Sequence, residues 1–172
     1  NFFYVKYGYC SNNIVIRPNK QIYFIFLIQL NTGLRIGDVL ILKKKNFNNN
    51  FIHLKEQKTG KIQHRKINTE IINKVEEYCD KKKLGHNDRM FTIKVRWVQK
   101  YIQKISFILG ASDISTHSFR KTYAHIQYLD SQCNIELVRK LLNHSSVSVT
   151  QRYLGITDEE VNEASANFKI IF

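Results

Sequence analysis

The stretch "NFNNNFIHLKEQKTGKIQHRKIN", residues 46–68, decides the fold class of this chain. Short runs in it mix apolar and polar residues, and an Asn cluster and the pair Thr59-Gly60 interrupt them. This is the pattern of a small antiparallel sheet with tight turns. It predicts a hairpin near residues 46–67 with its tip at the KTGK sequence, residues 58–61.

The segments on both sides of this stretch have a helical period. "RPNKQIYFIFLIQLNTG", residues 17–33, is apolar on every face between Pro18 and Gly33, which predicts a buried helix. Further helices are predicted from Thr69 through Cys79, from Thr92 through Leu109, and in the segments 115–130 and 134–144. The expected fold class is therefore α+β and mostly helical, with the small antiparallel sheet packed beside a helical bundle.

Two apolar stripes define the predicted inner faces of the middle helices. The residues of the first stripe follow Thr69, a candidate N-cap, and are Ile71, Ile72, Val75, Tyr78 and Cys79. The residues of the second stripe follow Thr92, also a candidate N-cap, and are Ile93, Trp97, Val98, Tyr101, Ile105, Ile108 and Leu109. Both sets are expected to lie in the core.

The net charge of +13 on 172 residues indicates a polyanionic partner, with nucleic acid ahead of a membrane surface. Residues 43–66 carry eight Lys or Arg residues and one acid, whereas residues 154–172 carry four acids and one Lys. The most apolar run, residues 22–30, is nine residues long, and a membrane span needs about 20. The sequence therefore predicts a nucleic-acid partner and no membrane association.

The cysteines do not form a ligand or disulfide pattern. Cys10, Cys79 and Cys133 are odd in number, far apart and without the paired spacing of a zinc site. A reduced, intracellular (cytoplasmic) setting and the absence of a structural metal are expected. Because the sequence starts at Asn1 and not at Met, we expect it to be a fragment of a longer chain.

Four short motifs occur in an informative order: "TGLRIGDVL" (32–40), "KTG" (58–60), "HSFR" (117–120) and "LLNHSSVSVTQRYL" (141–154). Their order and approximate spacing resemble the catalytic domain of tyrosine recombinases, the phage integrase family. The resemblance covers about residues 20–165. It implies that residues 1–172 form one such catalytic domain, with residues 1–18 as a lead-in and without the separate N-terminal DNA-binding domain of complete members.

The resemblance implies that Arg35 and Arg120 bind the DNA phosphate that reacts. Planar guanidinium groups stabilise charge on non-bridging phosphate oxygens with a geometry that Lys cannot copy. Taken without the resemblance, Arg35 could instead be a helix-end residue paired with Asp38, and Arg120 an exposed helix residue.

Two histidines complete the implied phosphate site. His117 lies three residues before Arg120, so that on a helix both side chains project from one face. The family assigns this position to proton transfer with the nucleophile or to phosphate positioning. His144 occupies the position of a hydrogen-bond donor to the phosphate. Unaided, either could be a capping, core or turn histidine.

The general acid is expected on the hairpin. The leaving 5′ oxygen departs readily only if it is protonated, and a Lys on the hairpin can supply the proton. The family pattern matches best at Lys58, with Lys61 as the alternative.

Tyr153 lies nine residues after His144, where the family has its nucleophile. A phenol with a pKa of about 10 is ionised to about one part in a thousand at about pH 7, a deficit of roughly 4 kcal/mol. It therefore needs cationic neighbours or a base at the phosphate. Eight other tyrosines are present, and only the resemblance singles out Tyr153.

The implied activity is site-specific DNA recombination by strand cleavage and rejoining through a 3′-phosphotyrosyl intermediate. The expected partners are double-stranded DNA and further copies of the chain, as a tetramer on DNA, with the tail at 154–172 packed on its own domain or exchanged between protomers. No cofactor, ATP or metal is expected. Additional DNA contacts are predicted at Lys43, Lys61, Arg65, Lys121 and Arg152. The alternatives are DNA relaxation like that of a type IB topoisomerase, and a non-enzymatic basic DNA-binding module.

Overall fold

The structure is a computed structural model that describes residues 19–111, 114–155, 162 and 165–167. Contacts within the chain divide it into two units, the first ending at Tyr123 and the second beginning at Ala124. The predicted lead-in at residues 1–18 and most of the predicted tail lie outside the described residues.

Residues 19–111 and 114–155 form seven α-helices, a single 3₁₀ turn (Lys44–Asn46) and three short strands. The helices are α1 (Lys20–Thr32), α2 (Ile36–Leu40), α3 (Thr69–Lys81), α4 (Val95–Ile108), α5 (Thr116–Asp130), α6 (Ile135–Leu141) and α7 (Val147–Leu154). The strands are β1 (Phe47–Asn48), β2 (Phe51–Lys55) and β3 (Ile62–Lys66). No helix in these ranges has the length and apolar composition that crossing a bilayer requires.

The strands form an antiparallel sheet in the order β1-β2-β3. Ile52 pairs with Arg65 and Leu54 pairs with Gln63 across β2 and β3. Ile52 and Leu54 are buried in the core of the first unit, whereas His53 and Lys55 are exposed, as the alternation of a strand requires. The predicted hairpin and the predicted α+β class are confirmed.

Helix α1 supplies the centre of the first unit. Ile22, Ile25 and Ile28 are buried on it together with the neighbouring Phe26. Its first turn is capped by Asn19, whose side chain accepts a hydrogen bond from the Gln21 backbone N–H at 2.9 Å. The buried helix predicted from the sequence is thus confirmed, with its start set by Asn19.

Helix α3 buries the predicted face, but helix α4 does so only in part. Val98 and Ile102 are the buried residues of α4, whereas Trp97 is 42% exposed and stacks on Tyr101 with ring centroids 5.5 Å apart. The predicted second stripe was therefore wrong at Trp97 and at Leu109, which is also exposed. The flat faces of the two aromatic rings cover each other at the edge of the core and do not enter it.

Two predicted helix caps were also wrong. Asn68, not Thr69, caps α3, because its side chain accepts from the Glu70 backbone N–H at 2.8 Å. Thr92 does not cap α4; its backbone N–H donates to the side chain of Gln21 at 3.0 Å. Asn68 thus takes the capping role at α3, whereas α4 begins at Val95, after Lys94, without a side-chain cap.

The second unit is built around α6 and α7. Val138 and Leu142 are buried there together with Thr150. The turn between the helices passes through Asn143, whose φ of 57° is left-handed. Asparagine tolerates this conformation better than most residues, and it follows the end of α6.

Gly33 ends α1, and its replacement by alanine is expected to destabilise the first unit. Its φ is 64°, and an added Cβ would lie 2.3 Å from Cδ1 of Tyr123. Left-handed strain and overpacking together should lower the free energy of unfolding by about 2–4 kcal/mol, measured by urea unfolding.

A matched control is Gly110→Ala. Gly110 has a φ of 60°, but an added Cβ would meet nothing within 4 Å. The Gly110→Ala substitution should therefore lower the free energy of unfolding through backbone strain alone, by about 1–2 kcal/mol. Equal losses for the two variants would contradict the packing argument at Gly33.

Candidate active site

Arg35 lies at the start of α2 and points toward the sheet hairpin. Its Nη1 donates to Oε2 of Glu56 at 2.8 Å, and its side chain is 18% exposed. Arg35 therefore pairs with Glu56 and not with Asp38, the partner in the alternative interpretation. Oδ1 of Asp38 accepts instead from the Gln57 backbone N–H at 2.8 Å. Arg35 is thus held by Glu56 while its side chain keeps a small exposed fraction.

Arg120, in α5, is 1% exposed and is not the exposed helix residue of the alternative interpretation. Its Nη1 donates to the backbone carbonyl of Gly33, at the turn that leads to Arg35. Arg120 is therefore anchored at the end of α1, two residues before Arg35. Their role as phosphate ligands stays a prediction.

Asp38 links the two arginines electrostatically. Its burial raises its pKa, and nearby Glu56 adds to the rise, while the hydrogen bond from Gln57 and the charges of Arg35 and Arg120 oppose it. Its Oδ2 is buried without a hydrogen-bond partner among the described residues. Because both guanidinium groups act on one carboxylate, the two cations share one neighbourhood.

Glu56 is the residue of this site that the sequence analysis missed. It follows β2 directly and is 1% exposed, although it stands in the most basic part of the chain. Its Oε2 accepts from Arg35 and from the hydroxyl of Thr59, and its Oε1 accepts from Nε2 of Gln63 at 2.6 Å. The sequence did contain a signal for this role, because a single acid among eight basic residues is well placed to form an ion pair with one of the basic residues of the site.

Lys58 and Lys61 occupy the hairpin tip, as predicted, and both are exposed. The Glu56 backbone N–H donates to the carbonyl of Lys61 at 2.9 Å, and the Gly60 N–H donates to the carbonyl of Glu56 at 3.0 Å. These bonds close the turn, with Gly60 in the left-handed region at a φ of 68°. Lys58 is thus an exposed cation on a closed turn that begins at Glu56.

His117 lies in the first turn of α5 and is exposed, whereas Arg120 is buried one turn later. The backbone N–H of His117 donates to Oγ of Ser115 at 3.2 Å, and the Ser115 N–H donates to Oγ of Ser118 at 3.0 Å. These reciprocal serine contacts fix the start of α5.

In the second unit the structure brings His144 and Tyr153 together. Their ring centroids are 5.0 Å apart with an interplanar angle of 54°. His144 is 5% exposed, and its Nδ1 lies 3.1 Å from Oγ1 of Thr150. This contact at Nδ1 helps to fix the orientation of the imidazole ring.

Arg139 is a second residue that the sequence analysis missed. Its Nη1 donates to the backbone carbonyl of His144 at 2.9 Å, and its Nε and Nη2 each donate to one oxygen of Glu136 at 2.7 Å. The His144 N–H in turn donates to the carbonyl of Arg139 at 3.0 Å. The loop that carries His144 is therefore fixed from the side of α6.

The additional predicted DNA-contact residues differ in exposure. Lys121 on α5 and Arg152 on α7 are exposed, and Lys43 is half-buried where its backbone bridges to Arg89. Arg65 is also half-buried and donates through Nη2 to Oε1 of Gln63 at 2.7 Å, so that it supports the Glu56 network. Their role in DNA binding stays a prediction.

The described residues contain no cluster of three or more His, Cys, Asp or Glu side chains placed to hold a metal ion. The first unit contains the guanidinium groups of Arg35 and Arg120 and the exposed Lys58 of the hairpin. The second unit contains the phenol of Tyr153 beside the buried imidazole of His144. That these groups bind and attack a phosphate stays a prediction.

The ionisation of Glu56 is expected to make stability depend on pH. Burial would raise the pKa of Glu56, but the hydrogen bonds from Thr59 and Gln63 and the charge of Arg35 outweigh it and hold the pKa below its usual value. Because the pKa of Glu56 is lower in the folded state than in the unfolded state, its ionisation stabilises the fold at pH values above the ordinary carboxyl pKa of about 4.3. This stability is lost as the pH falls through the pKa of the folded state.

Urea unfolding of the wild type and Glu56→Gln should therefore differ most near about pH 7, and the difference should shrink below about pH 4.3. Glu76→Gln, at an exposed position on α3, is the control for the same chemical change. A difference that is constant across this pH range would contradict the network described for Glu56.

Comparison with known proteins gives the family of the chain. The phage integrase family model matches residues 13–160. The chain is 33% identical over 159 residues to the probable integrase/recombinase YoeC of Bacillus subtilis, covering 88% of this chain and 86% of that protein. It is 30% identical to the tyrosine recombinase XerC of Caldanaerobacter subterraneus, covering 83% of this chain but only 43% of that protein.

Solved structures show the same fold. The XerH site-specific recombinase bound to palindromic difH substrate matches with a TM-score of 0.72 and 21% identity, over 88% of this chain and 48% of that chain. The catalytic domain of bacteriophage HP1 integrase matches with a TM-score of 0.59 and 19% identity, over 84% of this chain and 80% of that one. These structural matches confirm the predicted fold. The family model and the sequence relatives confirm the predicted class of DNA recombination enzymes, and the chain belongs to the phage integrase family as a tyrosine recombinase catalytic domain.

Proposed function

We propose that this chain performs site-specific DNA recombination, cutting and rejoining strands through a covalent link between Tyr153 and a DNA 3′ phosphate. The observation that carries the proposal is that both guanidinium groups are held by hydrogen bonds, Arg35 by Glu56 and Arg120 by the Gly33 carbonyl, while both charges act on the buried carboxylate of Asp38. Two fixed guanidinium groups suit the equatorial oxygens of a phosphate in displacement, which carry extra negative charge in the transition state.

The proposed step is an in-line displacement at phosphorus. A bond forms between Oη of Tyr153 and phosphorus, and the bond between phosphorus and the 5′ oxygen breaks. The phenol proton passes to His117, and the ammonium of Lys58 gives a proton to the leaving oxygen, which becomes a 5′ hydroxyl. His144 donates a hydrogen bond to the phosphate.

Rejoining reverses these steps. A 5′ hydroxyl from a partner duplex attacks the phosphotyrosyl phosphorus and releases Tyr153. One phosphate ester replaces another in each direction, so the bond energy is retained and no nucleotide hydrolysis is needed.

Double-stranded DNA is the proposed partner. The basic segment 43–66 carries eight cations against Glu56, and the exposed Lys58 and Lys61 project from its hairpin tip. XerH, which has the same fold, is bound to its difH substrate in the matched structure. Assembly into a tetramer on DNA, with the segment 154–172 exchanged or packed on its own domain, remains part of the proposal.

The proposal is tested with a nicked suicide duplex that carries a candidate recombination site, incubated with the chain in the presence of EDTA. The expected product is a protein joined to a DNA 3′ end, with a free 5′ hydroxyl that polynucleotide kinase can label. Binding without any adduct would support the non-enzymatic module instead. An adduct that reseals only its own strand and never joins a labelled partner duplex would favour the topoisomerase-like alternative.

A further inference from the structure

Glu56 connects two functional groups that the sequence separates. One carboxylate oxygen, Oε2, accepts from Nη1 of Arg35 at 2.8 Å and from the hydroxyl of Thr59. Thr59 is the residue directly after Lys58. The same oxygen therefore binds Arg35, the candidate phosphate ligand, and Thr59, the neighbour of the candidate general acid Lys58.

A second connection runs parallel to the first. The backbone N–H of Gln57, directly before Lys58, donates to Oδ1 of Asp38 at 2.8 Å. Both neighbours of Lys58 are thus hydrogen-bonded to carboxylates. Gln57 donates to Asp38 on α2, and Thr59 donates to Glu56, which also binds Arg35. The backbone of Lys58 is fixed relative to Arg35, while its side chain remains exposed.

The burial of Glu56 makes this connection strong. Its other oxygen accepts from Gln63 at 2.6 Å, so that both carboxylate oxygens are satisfied at a position that is 1% exposed. Gln63 in turn accepts from Nη2 of Arg65 at 2.7 Å. Because the carboxylate is buried and both its oxygens are hydrogen-bonded, the side chain of Glu56 is held in one conformation. Its bond to Thr59 then restricts the conformation of the hairpin turn.

We propose that Glu56 is a positioning residue that sets Lys58 against the same phosphate that Arg35 binds, so that proton donation to the leaving oxygen and charge stabilisation occur together. This inference rests on the proposed function. Glu56 touches neither the phosphate nor the leaving group. It acts through Thr59 and Arg35, and its loss would misplace the acid.

The test separates proton donation from phosphate binding by changing the leaving group. In a DNA with a 5′-bridging sulfur at the cleavage site, the leaving group is a thiolate, which departs without a proton because a thiol pKa is about 8.5. Cleavage rates on the oxygen and sulfur substrates are measured for the wild type, Lys58→Ala, Glu56→Gln and Thr59→Val. Glu76→Gln is the control on α3.

Lys58→Ala should slow cleavage of the oxygen substrate far more than that of the sulfur substrate. Glu56→Gln and Thr59→Val should move the ratio of the two rates in the same direction, with a loss of about 10-fold or more on the oxygen substrate. Thr59 is exposed and Thr59→Val keeps the side-chain shape, so this variant tests the link even if Glu56→Gln folds poorly. Glu76→Gln should keep the wild-type ratio.

Equal losses on both substrates for Glu56→Gln and Thr59→Val would overturn the inference, because the network would then support only the fold or Arg35. A wild-type ratio for Lys58→Ala would overturn the assignment of the acid and the inference with it. Failure of the wild type to cleave either substrate would instead reject the proposed function, which is a different result from failure of the inference.

Discussion

Replacing Tyr153 by phenylalanine is expected to abolish the covalent protein–DNA adduct on a nicked suicide duplex. Phenylalanine lacks the oxygen that attacks phosphorus but keeps the ring that lies 5.0 Å from His144. The fold and the binding of DNA should therefore persist while cleavage falls below detection. Denaturing gel electrophoresis of the labelled duplex measures the adduct, and a mobility shift measures binding.

Tyr23→Phe is the matched control for this variant. Tyr23 is exposed on α1 and loses only a solvent-facing hydroxyl. Its adduct yield should equal that of the wild type. An adduct that persists in Tyr153→Phe would mean that one of the other tyrosines is the nucleophile.

The conservative variant Arg120→Lys is expected to reduce the cleavage rate by about 10²- to 10³-fold. Lysine keeps the positive charge near Asp38 but lacks the planar fork, so that it cannot hold the Gly33 carbonyl and a phosphate oxygen at once. Single-turnover cleavage at saturating protein separates this effect from weaker DNA binding.

The control for this prediction is Arg96→Lys, the same substitution at an exposed position on α4. It should cleave at the wild-type rate. Thermal unfolding of both variants shows whether Arg120→Lys still folds. A folded Arg120→Lys protein with a wild-type cleavage rate would contradict the assignment of Arg120 to the reacting phosphate.

The sequence predicted those parts of the fold that local chemistry determines. The hairpin at 46–67 follows from its alternating pattern and its Thr-Gly turn, and α1 follows from a buried apolar run that ends at Gly33. The inner face of α4 was predicted less well. A helical period defines a face, but whether Trp97 enters the core or stacks at its edge depends on neighbours distant in sequence.

The same limit applies to the candidate site. The family motifs located the arginines, the histidines, Lys58 and Tyr153, because each motif is a short run of residues. Glu56 and Arg139 were missed, since their importance comes from partners that only the folded chain brings near, such as Arg35 for Glu56. The exposure of Arg120 was misjudged in the alternative interpretation for the same reason: its burial depends on Gly33, far away in sequence.

The most direct measurement is the identity of the amino acid that becomes linked to DNA. After trapping with a suicide duplex and digestion with nuclease and trypsin, mass spectrometry should find the nucleotide remnant within residues 141–169, a segment whose single tyrosine is Tyr153. A remnant on any other tyrosine, or on a serine or a histidine, would contradict the claim that the phenol of Tyr153 attacks the DNA phosphate.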